Sequence, residues 1–195
     1  RYRDRYRSGR HARINELEQN SLRKLLSGLG NLDVALDLPS GTGRLAGVLG
    51  EYADRVILAD TSPVMLEFAR ANLGDAAEYL RTNAEAIGLP AESVDLVFCH
   101  RLLNHVPDPG VRARIMTELA RVSRRYVVVS CYPPGLRTRF KVFIRTLFGS
   151  TSSRRERGSL DEYIELAVAA GLRLAGRSRF RRPPYTAEFV LFERS

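Results

Sequence analysis

Long apolar runs are the first thing this sequence lacks. Hydrophobic residues make up 44% of its 195 positions, yet no stretch reaches the roughly 20 uninterrupted apolar residues that a bilayer-crossing helix requires. The arginine-rich start also lacks the apolar segment of a secretory signal. Both absences lead to the expectation of a soluble, cytoplasmic protein. Cysteine is scarce: Cys99 and Cys131 are the only two, and each closes an apolar run that reads as a buried strand. They are expected as reduced, packed thiols, not as a disulfide framework. No zinc-type spacing of ligands occurs, so no metal is expected. Lysine is nearly missing too. Lys24 and Lys141 stand against 29 arginines, within a net charge of +9.

That charge is unevenly spread. Residues 1–30 carry a net +5, residues 31–132 carry −3 and residues 133–195 carry +7. Basic flanks of this kind steer and retain nucleic acid or acidic lipid. An arginine skew also arises from genomic base composition alone, and both explanations stay open here.

The chain is long enough for one well-filled domain and short for two, so residues 1–195 are read as a single domain. Ile14, Leu17, Leu22, Leu25 and Leu29 recur at helical spacing, which predicts an amphipathic cover helix over 11–29, within an N-terminal cover of residues 1–30. Apolar runs then alternate with helical patterns. Strands are predicted at 33–38, 55–60, 77–82, 93–99 and 125–131, with helices at 43–51, 63–73, 110–123 and 159–170. Runs such as Val56-Ile57-Leu58 and Val127-Val128-Val129 are apolar on consecutive positions, as parallel strands covered on both faces should be. Two last strands, 172–181 and 186–193, are joined through Arg182-Pro183-Pro184. So short a link makes no crossover, so they should form an antiparallel pair at one edge. The expected fold is α/β: a doubly wound, Rossmann-like, seven-stranded and mostly parallel sheet in a three-layer sandwich.

Residues 133–158 break the rhythm. Leu136, Phe140, Phe143, Ile144 and Leu147 fall on one helical face, and Arg137, Lys141 and Arg145 on another. This basic amphipathic insert is read as a lid over the acceptor or, alternatively, as a packed helix with a solvated basic face.

The stretch Gly41-x-Gly43-x-x-Ala46 follows a predicted strand, and Asp60 lies 17 residues beyond Gly43. A dinucleotide site has this form. Asp37 decides against it: a carboxylate at the mouth of the turn repels a pyrophosphate, which seeks bare amides. The same carboxylate suits an ammonium or sulfonium ligand, and opposite charges about 4 Å apart near a surface interact by about 4 kcal/mol.

These residues carry a resemblance. Asp37-Leu-Pro-Ser-Gly41-Thr-Gly43-Arg44 resembles the first motif of class I S-adenosylmethionine-dependent methyltransferases, and "VILADTSPVMLEFAR" (56–70) resembles the second. "NAEAIGLPAESVDLVFCHRLLNHVPDP" (83–109) resembles the third and fourth. The similarity covers roughly residues 31–131. It lies closest to the type 11-like, small-molecule branch that includes quinone methyltransferases. It implies S-adenosylmethionine as cofactor and S-adenosylhomocysteine as product. Asp37, Pro39, Ser40, Gly41 and Gly43 would line the cofactor's turn, with both glycines letting the backbone approach it. Asp60 would take the ribose hydroxyls, beside Thr61, and Met65 would lie against the adenine. Asn83 and Ala84 would face the adenine amino group; many relatives have aspartate where Asn83 stands, so the contact loses its charge. Pro39 stands where most relatives have glycine, which should stiffen the turn. The alternative roles are a helix cap for Asp60, an ordinary core position for Met65 and, for Asp37, ordering of the turn's amides.

Methyl transfer from a sulfonium mainly requires alignment in a dry pocket, and an oxygen acceptor gains from a base. His100 follows strand four directly and is a candidate both for that base and for cofactor contact. His105 is the weaker candidate, the alternative being a structural histidine at a helix start. Arg101, Asn104, Tyr132 and Phe140 are candidate acceptor contacts, and Arg13 could reach the cofactor's carboxylate. No Asn-Pro-Pro-Tyr motif occurs and no cysteine follows a proline, which disfavours nucleobase chemistry. The expected reaction is methyl transfer to a small acceptor that is hydrophobic or membrane-associated. The alternatives are an RNA methyltransferase using the basic flanks, which lacks an obvious stacking platform of interleaved aromatics, and a non-catalytic cofactor-binding protein. Peripheral contact with an anionic membrane is expected over nucleic acid. A nicotinamide oxidoreductase is disfavoured by Asp37, and oligomeric state is left open.

Overall fold

The computed structural model of the chain describes residues 9–132, 158–181 and 187–195. The arginine-rich start, the insert including Phe140 up to Arg157, and the Arg182-Pro183-Pro184 link lie outside the described residues. In chain order the described elements are α1 (Gly9–Leu26), β1 (Leu32–Asp37), α2 (Ala46–Leu49), β2 (Ala53–Asp60), α3 (Pro63–Leu73), β3 (Glu78–Arg81), β4 (Val94–Cys99), α4 (Pro109–Val122), β5 (Ser123–Cys131), α5 (Leu160–Ala169), β6 (Leu172–Arg181) and β7 (Ala187–Arg194).

The strands form one seven-stranded sheet in the order β3-β2-β1-β4-β5-β7-β6. The first five are parallel; β7 runs antiparallel to both β5 and β6. The expected antiparallel edge pair is therefore present, with β7 inserted between β5 and β6. The chain leaves β1 toward β2 on one side, and β4 returns on the other. The carboxyl ends of β1 and β4 thus flank the switch point where ligands of open α/β sheets bind.

Alternate residues of each strand feed two cores. Val34, Leu36, Val97, Val127, Val129 and Phe192 face α4 and α5. Ala35, Leu58, Leu96, Phe98, Val128 and Phe189 face α1 and α2. This two-sided burial is what the consecutive apolar positions encode. Helix starts follow capping chemistry. Ser62 accepts from the Met65 amide ahead of Pro63, Asp108 accepts from the Gly110 and Val111 amides ahead of Pro109, and Ser159 accepts from the Glu162 amide.

Two local differences from the sequence pattern matter. The helix expected over 43–51 is a single turn, Ala46–Leu49, because residues 41–45 continue the glycine turn. In α1 the buried stripe is Glu18, Ser21, Leu22 and Leu26, whereas Leu17, assigned above to the apolar face, is 44% exposed. Leu22 and Leu26 are fully buried and stabilise the docked helix by about 2 kcal/mol each. Ser21 Oγ lies 3.0 Å from the Ser178 carbonyl and 2.9 Å from its hydroxyl, tying α1 to β6 across 157 residues of sequence.

Candidate active site at the carboxyl edge of the sheet

The glycine turn begins as β1 ends. Pro39 follows a cis peptide bond, and Gly41 and Gly43 take φ of 55° and 72°, the left-handed region that disfavours any residue with a β-carbon. The two glycines are required for different reasons. A β-carbon at Gly41 would meet nothing within 4 Å, whereas one at Gly43 would sit 2.7 Å from Leu73 Cδ1 and 2.9 Å from Leu58 Cδ1. At Gly43 the close approach is thus made by the protein's own α3 and β2, not by space kept open for a ligand.

Asp60, at the end of β2, holds this turn. Its Oδ2 accepts from the Gly41 amide at 3.0 Å and its Oδ1 from the Ser62 amide at 2.9 Å. The helix cap itself is Ser62, so the capping role considered for Asp60 passes to its neighbour. Asp60 also orders the turn's amides, receiving that of Gly41. Asp37 is 3% exposed. Burial pushes its carboxyl up to about 8, against the pull of Arg44 and with a further push from Asp60.

Further along the edge, Thr61 is exposed and Met65 half-buried on the first turn of α3. Asn83 is exposed; its Oδ1 accepts from the Glu85 amide at 3.1 Å, and Ala84 beside it is buried. Ser40 is buried, with its Oγ unpartnered among the described residues. The same holds for both ring nitrogens of His100 and for Asn104 Oδ1. Unpartnered buried polar atoms are costly, and these gather at the ends of β1 and β4. His105, in a short 3₁₀ turn, is exposed, as is Arg13 on α1.

The sequence reading missed the residue at the centre of the cluster. Glu18 of α1 is fully buried. Its Oε2 lies 2.7 Å from an Arg44 guanidinium nitrogen, and its Oε1 lies 2.6 Å from Arg101 and 3.7 Å from His100 Nε2. Arg44 also donates to Asn15 Oδ1. Arg101 Nε donates to the Tyr132 hydroxyl at 3.2 Å, and its amide donates to Ser130 Oγ at 2.7 Å. Its φ of 60° is strained for a residue with a β-carbon, and such strain persists where the surroundings fix it. Burial opposes ionisation of Glu18, but His100, Arg44 and Arg101 hold its carboxyl down to about 2. Burial pushes His100 down to about 4, opposed by Glu18 and reinforced by Arg101 and Arg44. At neutral pH the cluster therefore holds an ionised Glu18 beside a neutral imidazole. The structure brings together Asp37, Ser40, Gly41, Asp60, His100, Arg101 and Tyr132 at one edge. Phe140 lies outside the described residues. Glu18 did leave a signal in the sequence: it stands four residues from both Ile14 and Leu22, an acid in an apolar row.

Residues 36–129, from the end of β1 into β5, match the family model described as a methyltransferase domain. Among solved structures, the magnesium protoporphyrin IX methyltransferase of Synechocystis PCC 6803 with bound S-adenosylhomocysteine aligns with a TM-score of 0.75 at 18% identity. That match covers 100% of this chain and 93% of the other. Over residues 36–129 the chain is thus similar to methyltransferase domains. A second methyltransferase structure, a putative sarcosine dimethylglycine methyltransferase from Galdieria sulphuraria, aligns with a TM-score of 0.68 at 18% identity, covering 95% of this chain and 86% of the other. By sequence, the domain is 33% identical over 111 residues to the ubiquinone/menaquinone biosynthesis C-methyltransferase UbiE of Hahella chejuensis, covering 51% of this chain and 43% of that protein. The Escherichia coli O1:K1 / APEC protein of the same description is 30% identical over 117 residues, covering 55% and 46%. The matches thus span less than half the length of these curated relatives. Glu18, Tyr132 and all of α1, β6 and β7 fall outside the family match.

Proposed function

We propose that the chain is an S-adenosylmethionine-dependent methyltransferase acting on a small acceptor. The observation that carries this reading is the coincidence, at one sheet edge of a methyltransferase domain, of a carboxylate-held glycine turn with unpartnered buried atoms of Ser40, His100 and Asn104. The residues present fit the cofactor. Asp37 would face its ammonium, and Asp60 would exchange backbone amides for ribose hydroxyls. Gly41 leaves room at its β-carbon position, and Thr61, Met65, Asn83 and Ala84 would border the adenine. Pro39 and Ser40 complete the turn, and Gly43 lets α3 close behind it. When bound, S-adenosylmethionine supplies an electrophilic methyl group on sulfur. The chain's own part is to bind and orient, to exclude water and to hold a proton at His100.

The acceptor is proposed to be hydrophobic or membrane-associated, with Arg101, Asn104 and Tyr132 at its pocket and the 133–158 insert, including Phe140, as its lid. Support comes from the quinone-pathway and porphyrin methyltransferases to which the chain is similar and from the insert's apolar and basic faces. Arginines on that insert suit an anionic lipid surface. Among the described residues no helix is long and apolar enough to cross a membrane.

Calorimetry with S-adenosylhomocysteine and with NADH tests the cofactor. Heat with the first and none with the second is expected; the reverse ends the reading. Transfer of labelled methyl to a panel of quinols, porphyrin carboxylates and amines then assigns the acceptor. Co-sedimentation with anionic vesicles, comparing the whole chain with a 136–157 deletion, tests the membrane contact; equal, salt-insensitive binding would exclude it.

A further inference from the structure

We infer that Glu18 is a positioning residue for His100: from the cover helix it fixes the imidazole as the Nε2–H tautomer and leaves Nδ1 as the proton acceptor for the substrate. This rests on the methyltransferase reading and narrows it to acceptors that lose a proton on methylation, such as a phenol, a quinol-type carbon or a protonated nucleophile.

The geometry gives the reason. Glu18 Oε1 lies 3.7 Å from Nε2, and neither ring nitrogen has a hydrogen-bond partner among the described residues. A carboxylate beyond one nitrogen of a buried imidazole selects the tautomer that turns its N–H toward it and stabilises the cation that forms on proton uptake. His100 is 7% exposed. The rings around it are Phe98, stacked at 5.8 Å between centroids, Phe189 at 5.3 Å and Phe180 at 6.2 Å. They fix the ring plane and supply no charge. Among the described residues, the charged groups facing it are Glu18 from α1, Arg44 from the glycine turn and Arg101 from beyond β4. Two guanidiniums alone would forbid an imidazolium here. Glu18 lies against both and offsets them, so removing its charge makes His100 a poorer base.

In the step this serves, the acceptor atom bonds to the methyl carbon as the carbon–sulfur bond breaks, with that electron pair staying on sulfur. The acceptor's proton moves to Nδ1, giving an imidazolium beside Glu18, and then leaves to solvent as product departs. No oxidant or reductant is involved.

Nitrogen-15 NMR of histidine-labelled protein tests this without knowing the acceptor. Only His11, His100 and His105 contribute, and the His100 signal is assigned by its loss in His100→Asn. Expected for the wild type, free and with S-adenosylhomocysteine, is a protonated-type shift on Nε2 and an unprotonated one on Nδ1. In Glu18→Gln the titration midpoint of His100 should fall by about one unit, while affinity for S-adenosylhomocysteine changes less than about threefold. Glu18→Asp should recover most of the midpoint. Once an acceptor is known, kcat of Glu18→Gln should drop at least about tenfold with KM little changed. A wild-type His100 in the Nδ1–H form, or an unmoved midpoint in Glu18→Gln, overturns the inference; the wild-type tautomer decides even if the variant fails to fold. Absence of S-adenosylhomocysteine binding by the wild type would instead overturn the proposed function.

Discussion

The glycine turn and the α1 helix meet at the same sheet edge but reach it by different routes. The turn lies inside the stretch that matches the methyltransferase family, and its geometry is set by neighbours close in the fold's core: Asp60 holds the Gly41 amide, and Leu58 and Leu73 crowd Gly43. α1 lies outside that stretch and is held by long-range contacts, hydrophobic through Leu22 and Leu26, polar through Ser21, ionic through Glu18. The turn is thus the proposed cofactor seat, whereas α1 brings a buried charge in among the candidate chemical groups. The two regions are held by different contacts, so each can be broken separately.

Removing the flank's charge should have the largest effect. Glu18→Ala leaves Arg44 and Arg101 facing an empty, buried space. Breaking one side of a buried pair costs about 3–5 kcal/mol, read as a drop in the urea unfolding midpoint. Inside the matched stretch, Gly43→Ala should come next. It combines about 1–2 kcal/mol of left-handed strain with about 1–3 kcal/mol of overpacking against Leu58 and Leu73. Gly41→Ala should show the strain alone. Equal losses at the two glycines would contradict the packing difference described here.

The difference between the two regions also explains what the sequence could reveal. Strand and helix positions were readable because both sheet faces are covered: Val56, Ile57 and Leu58 are all buried, and α3, α4 and α5 announce their starts with Ser or Asp before Pro or Glu. The turn at Gly41 and Gly43 was readable because left-handed backbone at two positions demands glycine. Glu18 showed only as an acid in an apolar row; its role stayed hidden because its partners Arg44 and Arg101 stand 26 and 83 positions away. The reason for Gly43 was also hidden, since Leu73 approaches it only once α3 packs. α2 was overextended because glycine-rich turn residues mimic a helix start.

Asp37 sharpens the comparison through pH. Its folded carboxyl sits near 8 against an ordinary 3.8, so the folded state binds its proton more tightly than the unfolded one. The stability this group contributes is fully present below about pH 4 and is lost as pH rises through 8. Asp37→Asn should therefore be more stable than wild type above pH 8 without ligand, the gap closing toward acid. His100 has the opposite sign: a folded value near 4 against 6.5 makes its contribution vanish as pH falls from 6.5 to 4. Ligand binding should invert the Asp37 preference. An ammonium needs the ionised carboxylate, so wild-type affinity for S-adenosylhomocysteine should climb from pH 6 to 8, by up to about tenfold per unit. In Asp37→Asn that slope should be gone, with affinity at pH 8 about 10- to 100-fold weaker. Calorimetry across pH reads both, and a slope retained in the variant would mean that another group receives the ammonium.

Ser21→Ala should produce the smallest change and the most specific one. Its hydroxyl joins α1 to β6 at Ser178, and losing one such hydrogen bond costs about 1 kcal/mol. Ser21 touches neither the glycine turn nor the Glu18 cluster directly, and Leu22 and Leu26 keep the helix seated. Global stability should therefore fall only slightly, while amide exchange in α1 quickens and exchange at Gly41 and Ser62 stays unchanged. Exchange that quickens equally in the turn would show that the cover helix and the glycine turn open as one unit, in which case the separation between them would be spatial only and not energetic.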